Sequence, residues 1–187
     1  MHEVSFTRMA DGTREEYEFL NHLEEEYAAR TGERVLACFR AQESTMEGYR
    51  LSRQEHALQS ATRALRDGAE EEMVVAALLH DIGDSLAPYS HSEFAAAILR
   101  PYVSERTHWV VQHHGVFQCY YYAHHTGGDR NARDRYRAHR YYADCVDFCE
   151  RWDQSSFDPG YASLPLAHFE PMVLRVFARK PREYERE

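Results

Sequence analysis

Seven consecutive apolar residues, Met73 to Leu79, run without a break into His80-Asp81-Ile82-Gly83. No other feature of the chain constrains its fold so tightly. The run is far short of the ~20 residues a membrane-spanning helix needs. It also lacks the alternation of a half-buried strand. Glu70 to Glu72 precede it and suit the positive end of a helix dipole. The segment therefore reads as an apolar helix that ends on a histidine–aspartate pair.

The surrounding pattern is helical nearly throughout. Thr13-x-x-Glu16 and Ser52-x-x-Glu55 read as capping boxes. Tyr17, Leu20, Leu23 and Tyr27 follow the first at helical spacing, with Gly32 expected as the stop. Ala57, Leu58, Ala61 and Leu65 follow the second, which is expected to end at Gly68. A short helix carries Val35, Leu36 and Phe39, and Ser44 to Leu51 reads as a loop. Ser90-x-x-Glu93 is expected to cap a helix closed by Pro101, and Ser104 to start one with Trp109, Val110 and Val111 inward. After the Gly127-Gly128 break, a long helix is expected from about Asn131 to Asp153. Asp158-Pro159-Gly160 reads as a turn. Pro165 and Pro171 bracket the start of a last helix with Met172, Val173, Val176 and Phe177 as its stripe. Strand patterns are nearly absent, and no repeat or linker divides the 187 residues. The expectation is a single all-α domain, a helical bundle with its core over about residues 50–155.

Charge narrows the partners. Lys+Arg 22 against Asp+Glu 31 gives a net charge of −9. Nucleic acids and anionic membranes both call for a basic footprint, so neither is expected as a partner. Met1-His2-Glu3 lacks the basic start and apolar stretch of a signal peptide, and a cytoplasmic, reducing location is expected. Cys38, Cys119, Cys145 and Cys149 contain no C-x-x-C pair. Cys145 and Cys149, four apart, read as buried free thiols. Against four cysteines stand twelve histidines, a ratio that points to metal or proton chemistry.

A histidine and an aspartate at neighbouring positions supply an imidazole and a carboxylate from one point of the backbone. The carboxylate can bridge two cations while the imidazole binds one of them. His56 lies 24 residues before His80, on the preceding amphipathic helix. His91, the pair His113-His114 and Asp153 follow on later helices. Inward-facing His and Asp residues on separate helices of one bundle are how buried dinuclear sites are built. Of His113 and His114 one points inward, and His114 is preferred. His124-His125 read as structural.

In this order and spacing the chain resembles the HD-domain superfamily. Within it, the resemblance is to the mixed-valent diiron oxygenases, among them myo-inositol oxygenase and the hydroxy-aminoethylphosphonate and trimethylammonio-hydroxyethylphosphonate oxygenases. It rests on Gln54-Glu55-His56-Ala57-Leu58-Gln59, Ala77-Leu78-Leu79-His80-Asp81-Ile82-Gly83, His91-Ser92-Glu93, His114-Gly115-Val116-Phe117, His125-Thr126-Gly127-Gly128-Asp129 and Trp152-Asp153. The resemblance implies that His56, His80, Asp81 and Asp153 bind one iron and that Asp81 bridges as the catalytic carboxylate. It implies that His91 and His114 hold the second iron, and that O2 is the co-substrate in oxidative cleavage of a C–P or C–C bond. All-His/Asp sites of this kind suit iron, manganese or similar metals better than thiolate-preferring ones.

Two irons at +2 and +3 less two aspartates leave about +3, so an acidic protein can hold a cationic pocket. That favours a small molecule chelating through a phosphonate, carboxylate or alkoxide. Many relatives carry Lys or His where this chain has Asp84, which here is expected to face a cationic substrate group. Aromatic faces can hold a quaternary ammonium. Tyr121 is taken as the contact from Tyr120-Tyr121-Tyr122, with core packing for the others. Phosphonate oxygenases carry a Tyr-x-Gly-Glu lid, and here Met46-Glu47-Gly48-Tyr49 matches only at the glycine, leaving Tyr49 as the tyrosine near the metals. Arg151 is a candidate for steadying an anionic substrate, as are Arg130 and Arg133. The best substrate match is a 1-hydroxy-2-(amino or trimethylammonio)ethylphosphonate. The alternatives are a two-metal phosphohydrolase and a non-catalytic metal-binding domain. Oligomeric state is left open.

Overall fold

The computed structural model describes residues 3–42 and 48–182, and among them run eight α-helices and no strand. In chain order they are α1 (Arg14–Ala29), α2 (Thr31–Arg40), α3 (Arg53–Arg66), α4 (Glu71–Leu79), α5 (His91–Leu99), α6 (Glu105–Tyr122), α7 (Tyr142–Phe148) and α8 (Leu166–Phe177). The class is all-α, as the patterning implies.

α4 is the centre of the bundle. Every residue from Met73 to Leu79 is buried. A helix apolar on all sides must be surrounded, and α3, α6 and α8 pack around it. Its acidic first turn stays at the rim, where Glu71 and Glu72 pair with Arg175 and Arg179 at the end of α8. Its other end carries His80 and Asp81 into the interior. Both predicted capping boxes form: Thr13 accepts from Glu16 N–H, Ser52 accepts from Glu55 N–H, and each glutamate reaches back. α3 ends one residue before Asp67, and Gly68 follows at φ +76°. Cys145 and Cys149 are buried free thiols. None of the described helices is long and apolar enough to cross a membrane.

Several expectations are corrected. The stretch from Asn131 to Asp153 is not one helix. It is a 3-10 turn at Ala132–Tyr136, a turn region, then α7, then a π turn at Cys149–Asp153. Side-chain packing breaks the run: His139 stacks on Trp109 at 4.1 Å, and Tyr136 and Tyr142 turn onto Phe117. Gly32 does not stop α1, which ends at Ala29. It sits in the first turn of α2, where an added Cβ would lie 3.2 Å from Phe177 Cβ, so the glycine admits α8. The α1 stripe is largely outside the core: Leu23 and Tyr27 are 43% and 66% exposed, and among the described helices α1 packs chiefly on α2. Ser90 precedes α5 without a side-chain capping bond. Pro171 lies inside α8 rather than before it. Met46 and Glu47 lie outside the described residues.

Candidate metal centre

Five elements bring six side chains to one point. His56 comes from α3, His80 and Asp81 from the end of α4, and His91 is the first residue of α5. His114 sits within the buried stripe Val110, Val111, His114 and Phe117 of α6. Asp153 ends the π turn, where Gln154 N–H bonds to Cys149 C=O at 2.9 Å. That five-residue closure widens the helix and buries both Trp152 and Asp153. Wide turns of this sort recur at functional sites.

The carboxylate of Asp81 divides its two oxygens. Oδ2 lies 3.4 Å from His56 Nε2 and 3.3 Å from His80 Nε2. Oδ1 lies 3.1 Å from His114 Nε2 and 3.4 Å from His91 Nε2. Asp153 Oδ1 joins the first group, 3.3 Å from His56 Nε2 and 3.6 Å from His80 Nε2. His56 Nε2 and His80 Nε2 are 3.1 Å apart.

The far side of each imidazole fixes its tautomer. His56 Nδ1 lies 3.0 Å from Ser156 C=O, His80 Nδ1 2.9 Å from Ala77 C=O, and His114 Nδ1 2.7 Å from Val111 C=O. A carbonyl only accepts, so these three Nδ1 atoms carry the proton and donate it. Their Nε2 atoms are left as lone pairs facing one another and two carboxylates. Ring nitrogens anchored in this way are the usual companions of a metal ligand.

A cluster of acceptors facing acceptors lacks a positive partner, and the chain meets the deficit with protons. Burial pushes the His56 imidazole toward neutrality, yet the carboxylates of Asp153 and Asp81 outweigh burial and its pKa is raised to about 9. His80 is raised well above its ordinary value against the same burial penalty, by the charges of Asp81 and Asp153. Asp81 and Asp153 are lowered despite burial, with His80 the largest stabilising charge on each. A metal ion supplies the same positive charge. Bonds of about 2.0–2.2 Å place neighbouring donors about 2.9–3.6 Å apart, which is the spacing observed. Asp153 Oδ2, moreover, is buried with no hydrogen-bond partner. The residues fit a metal-binding role, and three of their combinations bring three ligand atoms within 4.8 Å of one another.

His91 differs from the other three. Its Nδ1 lies 3.5 Å from Pro88 C=O but 3.2 Å from Asp84 Oδ1. Gly83 lets its segment approach, since a Cβ there would lie 2.9 Å from His91 C=O, and Gly115 admits the next residue, a Cβ there lying 2.7 Å from Ser92 Oγ. Asp84, expected to face a cationic substrate group, lines the cavity, where its oxygens also lie beside His91 and accept from Arg53 Nε at 2.8 Å.

The cluster opens into a cavity of about 870 Å³, walled in part by Tyr49, Tyr121, Tyr122, Gln118 and Phe157. Tyr121 is half-buried on this wall, and burial raises its phenol to about 12. Tyr49 is not against the ligands: it stacks on Phe157, whose ring lies 4.4 Å from that of His56. Arg151 points elsewhere. Its guanidinium pairs with Asp67 at 2.8 Å on another face, which removes it from the substrate contacts. Arg130 and Arg133 lie over the Tyr120 ring and do not line the cavity. His113 turns away from the cluster and stacks on Trp109 at 4.1 Å, so His114 is the inward member of the pair.

Sequence reading passed over Arg53, Phe157 and Gln118. Gln118 Nε2 donates to Asp153 Oδ1 at 2.7 Å. Its signal was available, since it stands four residues after His114 on the same helical face. Phe157 follows the π turn and carries none.

An all-α bundle that converges buried histidines and aspartates on one point defines a helical metal-binding domain. A family model for the HD domain matches residues 53–147, just over half of the chain, and the chain belongs to the HD-domain family. The match ends before Asp153, which the π turn brings to the same cluster. Proteins of this family are generally metal-dependent enzymes, hydrolases and oxygenases among them. A search of curated proteins found no match.

Proposed function

We propose that this HD domain is a non-haem diiron oxygenase that uses O2 to cleave a C–P or C–C bond of a small hydroxylated substrate. The observation that carries the reading is the division of Asp81 between two donor groups, in a cavity wall almost without cations. His56, His80, Asp81 and Asp153 would hold one iron, and Asp81, His91 and His114 the other. Iron bound there supplies electron transfer to O2 and a Lewis acid for a substrate oxygen.

The chain's own residues do the rest. The second group offers three donors against four, and its His91 is the ligand nearest solvent, with 26% of its side chain exposed. Room for substrate oxygens therefore lies on that side. Phe157, Tyr121 and Tyr122 form an aromatic wall that displaces water from the ligands and orients the substrate body. A phosphate ester calls for cationic contacts. Among the described lining residues the only arginine or lysine is Arg135, out beside His113, while Arg53 is spent on Asp84. That counts against the phosphohydrolase alternative.

Within the oxygenase class, a 1-hydroxy-2-(amino or trimethylammonio)ethylphosphonate remains the proposed substrate. With Asp84 shared with His91 and Arg53, recognition of its cationic end rests mainly on the aromatic faces.

The test is EPR and oxygen uptake on protein from iron-supplemented cells. A mixed-valence diiron signal that changes on adding the hydroxyphosphonate, with O2 consumed, is expected. Phosphate release from nucleotides with Mn or Mg and no O2 uptake would replace the reading with the hydrolase. Activity that survives Asp81→Ala would remove both.

A further inference from the structure

We propose that Arg53 and Asp84 form a clamp that holds His91 for the second metal ion. The inference rests on the two-ion reading above. His56, His80 and His114 are placed by the core, with side chains at most 2% exposed and Nδ1 tied to backbone carbonyls. His91 has neither support. It opens α5, the Ser90 before it makes no side-chain capping bond, and its nearest carbonyl stands at 3.5 Å, too far for a good hydrogen bond.

What orients His91 is a side-chain carboxylate. Asp84 Oδ1 lies 3.2 Å from Nδ1, within ion-pair reach, and Asp84 Oδ2 accepts from Arg53 Nε at 2.8 Å. The Arg53 and Asp84 side chains are 25% and 18% exposed, so the pair is shielded from most of the solvent. A carboxylate behind an imidazole fixes the orientation of the ligating ring.

The clamp also joins the two groups mechanically. Arg53 is the first residue of α3 and stands one turn before His56, on the same face of the helix. Asp84 stands three residues after Asp81. An ion in the first position ties α3 to the end of α4 through His56, His80 and Asp81. Those are the two segments that carry Arg53 and Asp84. The clamp therefore spans the same two segments as the first group of ligands.

The test is a titration of the metal-free full-length chain with Mn(II), following free Mn(II) by EPR, with thermal melts to confirm folding. The unaltered chain is expected to take two ions. In Asp84→Ala the first is expected to bind within about twofold of normal and the second about 10–100-fold more weakly, the usual cost of losing a partner behind a ligand. Asp84→Asn keeps the shape without the charge and is expected to fall between, as is Arg53→Gln, which frees the carboxylate. A second ion that binds all three variants as it binds the unaltered chain would overturn the clamp while leaving the two-ion reading standing. Equal weakening of both ions in folded Asp84→Asn and Arg53→Gln would also overturn it. A single ion on the unaltered chain would bring down the two-ion reading and the clamp together.

Discussion

The two halves of the centre are built by different means. His56, His80 and Asp153 are sunk in the core and held by backbone carbonyls and by Gln118. On the other side His91 is a quarter exposed, starts its helix uncapped, and leans on charged side chains. The difference teaches where the chain has spent stability. Two histidines and a carboxylate in the interior carry a desolvation penalty of several kcal/mol per charged group, which mutual pairing offsets only in part. An arrangement of that kind suits an ion that stays. A partly exposed ligand suits an ion that must also meet substrate.

The comparison can be broken first at the residue the halves share. Asp81→Ala removes an oxygen from each group, so metal content is expected to fall from two ions toward none by elemental analysis. Retention of one full ion would mean that the first group closes without its carboxylate.

A smaller and one-sided effect is expected from Gly83→Ala. The added Cβ would sit 2.9 Å from both His91 C=O and Phe94 Cβ, atoms that can move only if α5 moves. Overpacking of this kind costs about 1–3 kcal/mol, which lowers the melting temperature of a chain this size by about 2–4 °C per kcal/mol. The second ion is expected to weaken and the first to hold. Loss of both ions in a folded variant would dissolve the contrast.

The smallest effect sharpens the first half alone. His56 is raised on folding, from 6.5 to about 9, so in metal-free protein its charged form adds stability fully present below pH 6.5 and lost as pH climbs through 9. Asp81 and Asp153 are lowered on folding, so their contribution is present above their ordinary value of 3.8 and lost on acidification below it. Melts in chelator are therefore expected to be highest between those limits and to decline from pH 6.5 to 9. Metal displaces these protons, so loaded protein is expected to lose that decline. A flat profile in chelator would show that protons do not fill the first group.

Much of this was legible in the chain. The capping boxes placed the starts of α1 and α3 to the residue, because a cap is a local hydrogen-bond pattern written in two side chains. The apolar run placed α4 at the centre, because a helix with no polar face has nowhere else to go. The six candidate ligands converge because each lies on the inward face of its own element. What was illegible depended on contacts between distant segments. An Arg-rich stretch after Asn131 looks helical by propensity, but Trp109 and Phe117 capture its aromatic residues and fold it into turns. The pairing of Asp84 with Arg53, 31 residues earlier, also gives no sign in one sequence.

The central claim is a shared carboxylate between two metal ions, and anomalous diffraction at the iron edge from iron-loaded crystals tests it most directly. Two peaks about 3.5–4 Å apart, the usual separation in two-metal sites, are expected with Asp81 between them and His91 on the second. A single peak bound by His56, His80 and Asp153 with Asp81 and His91 unengaged would contradict it.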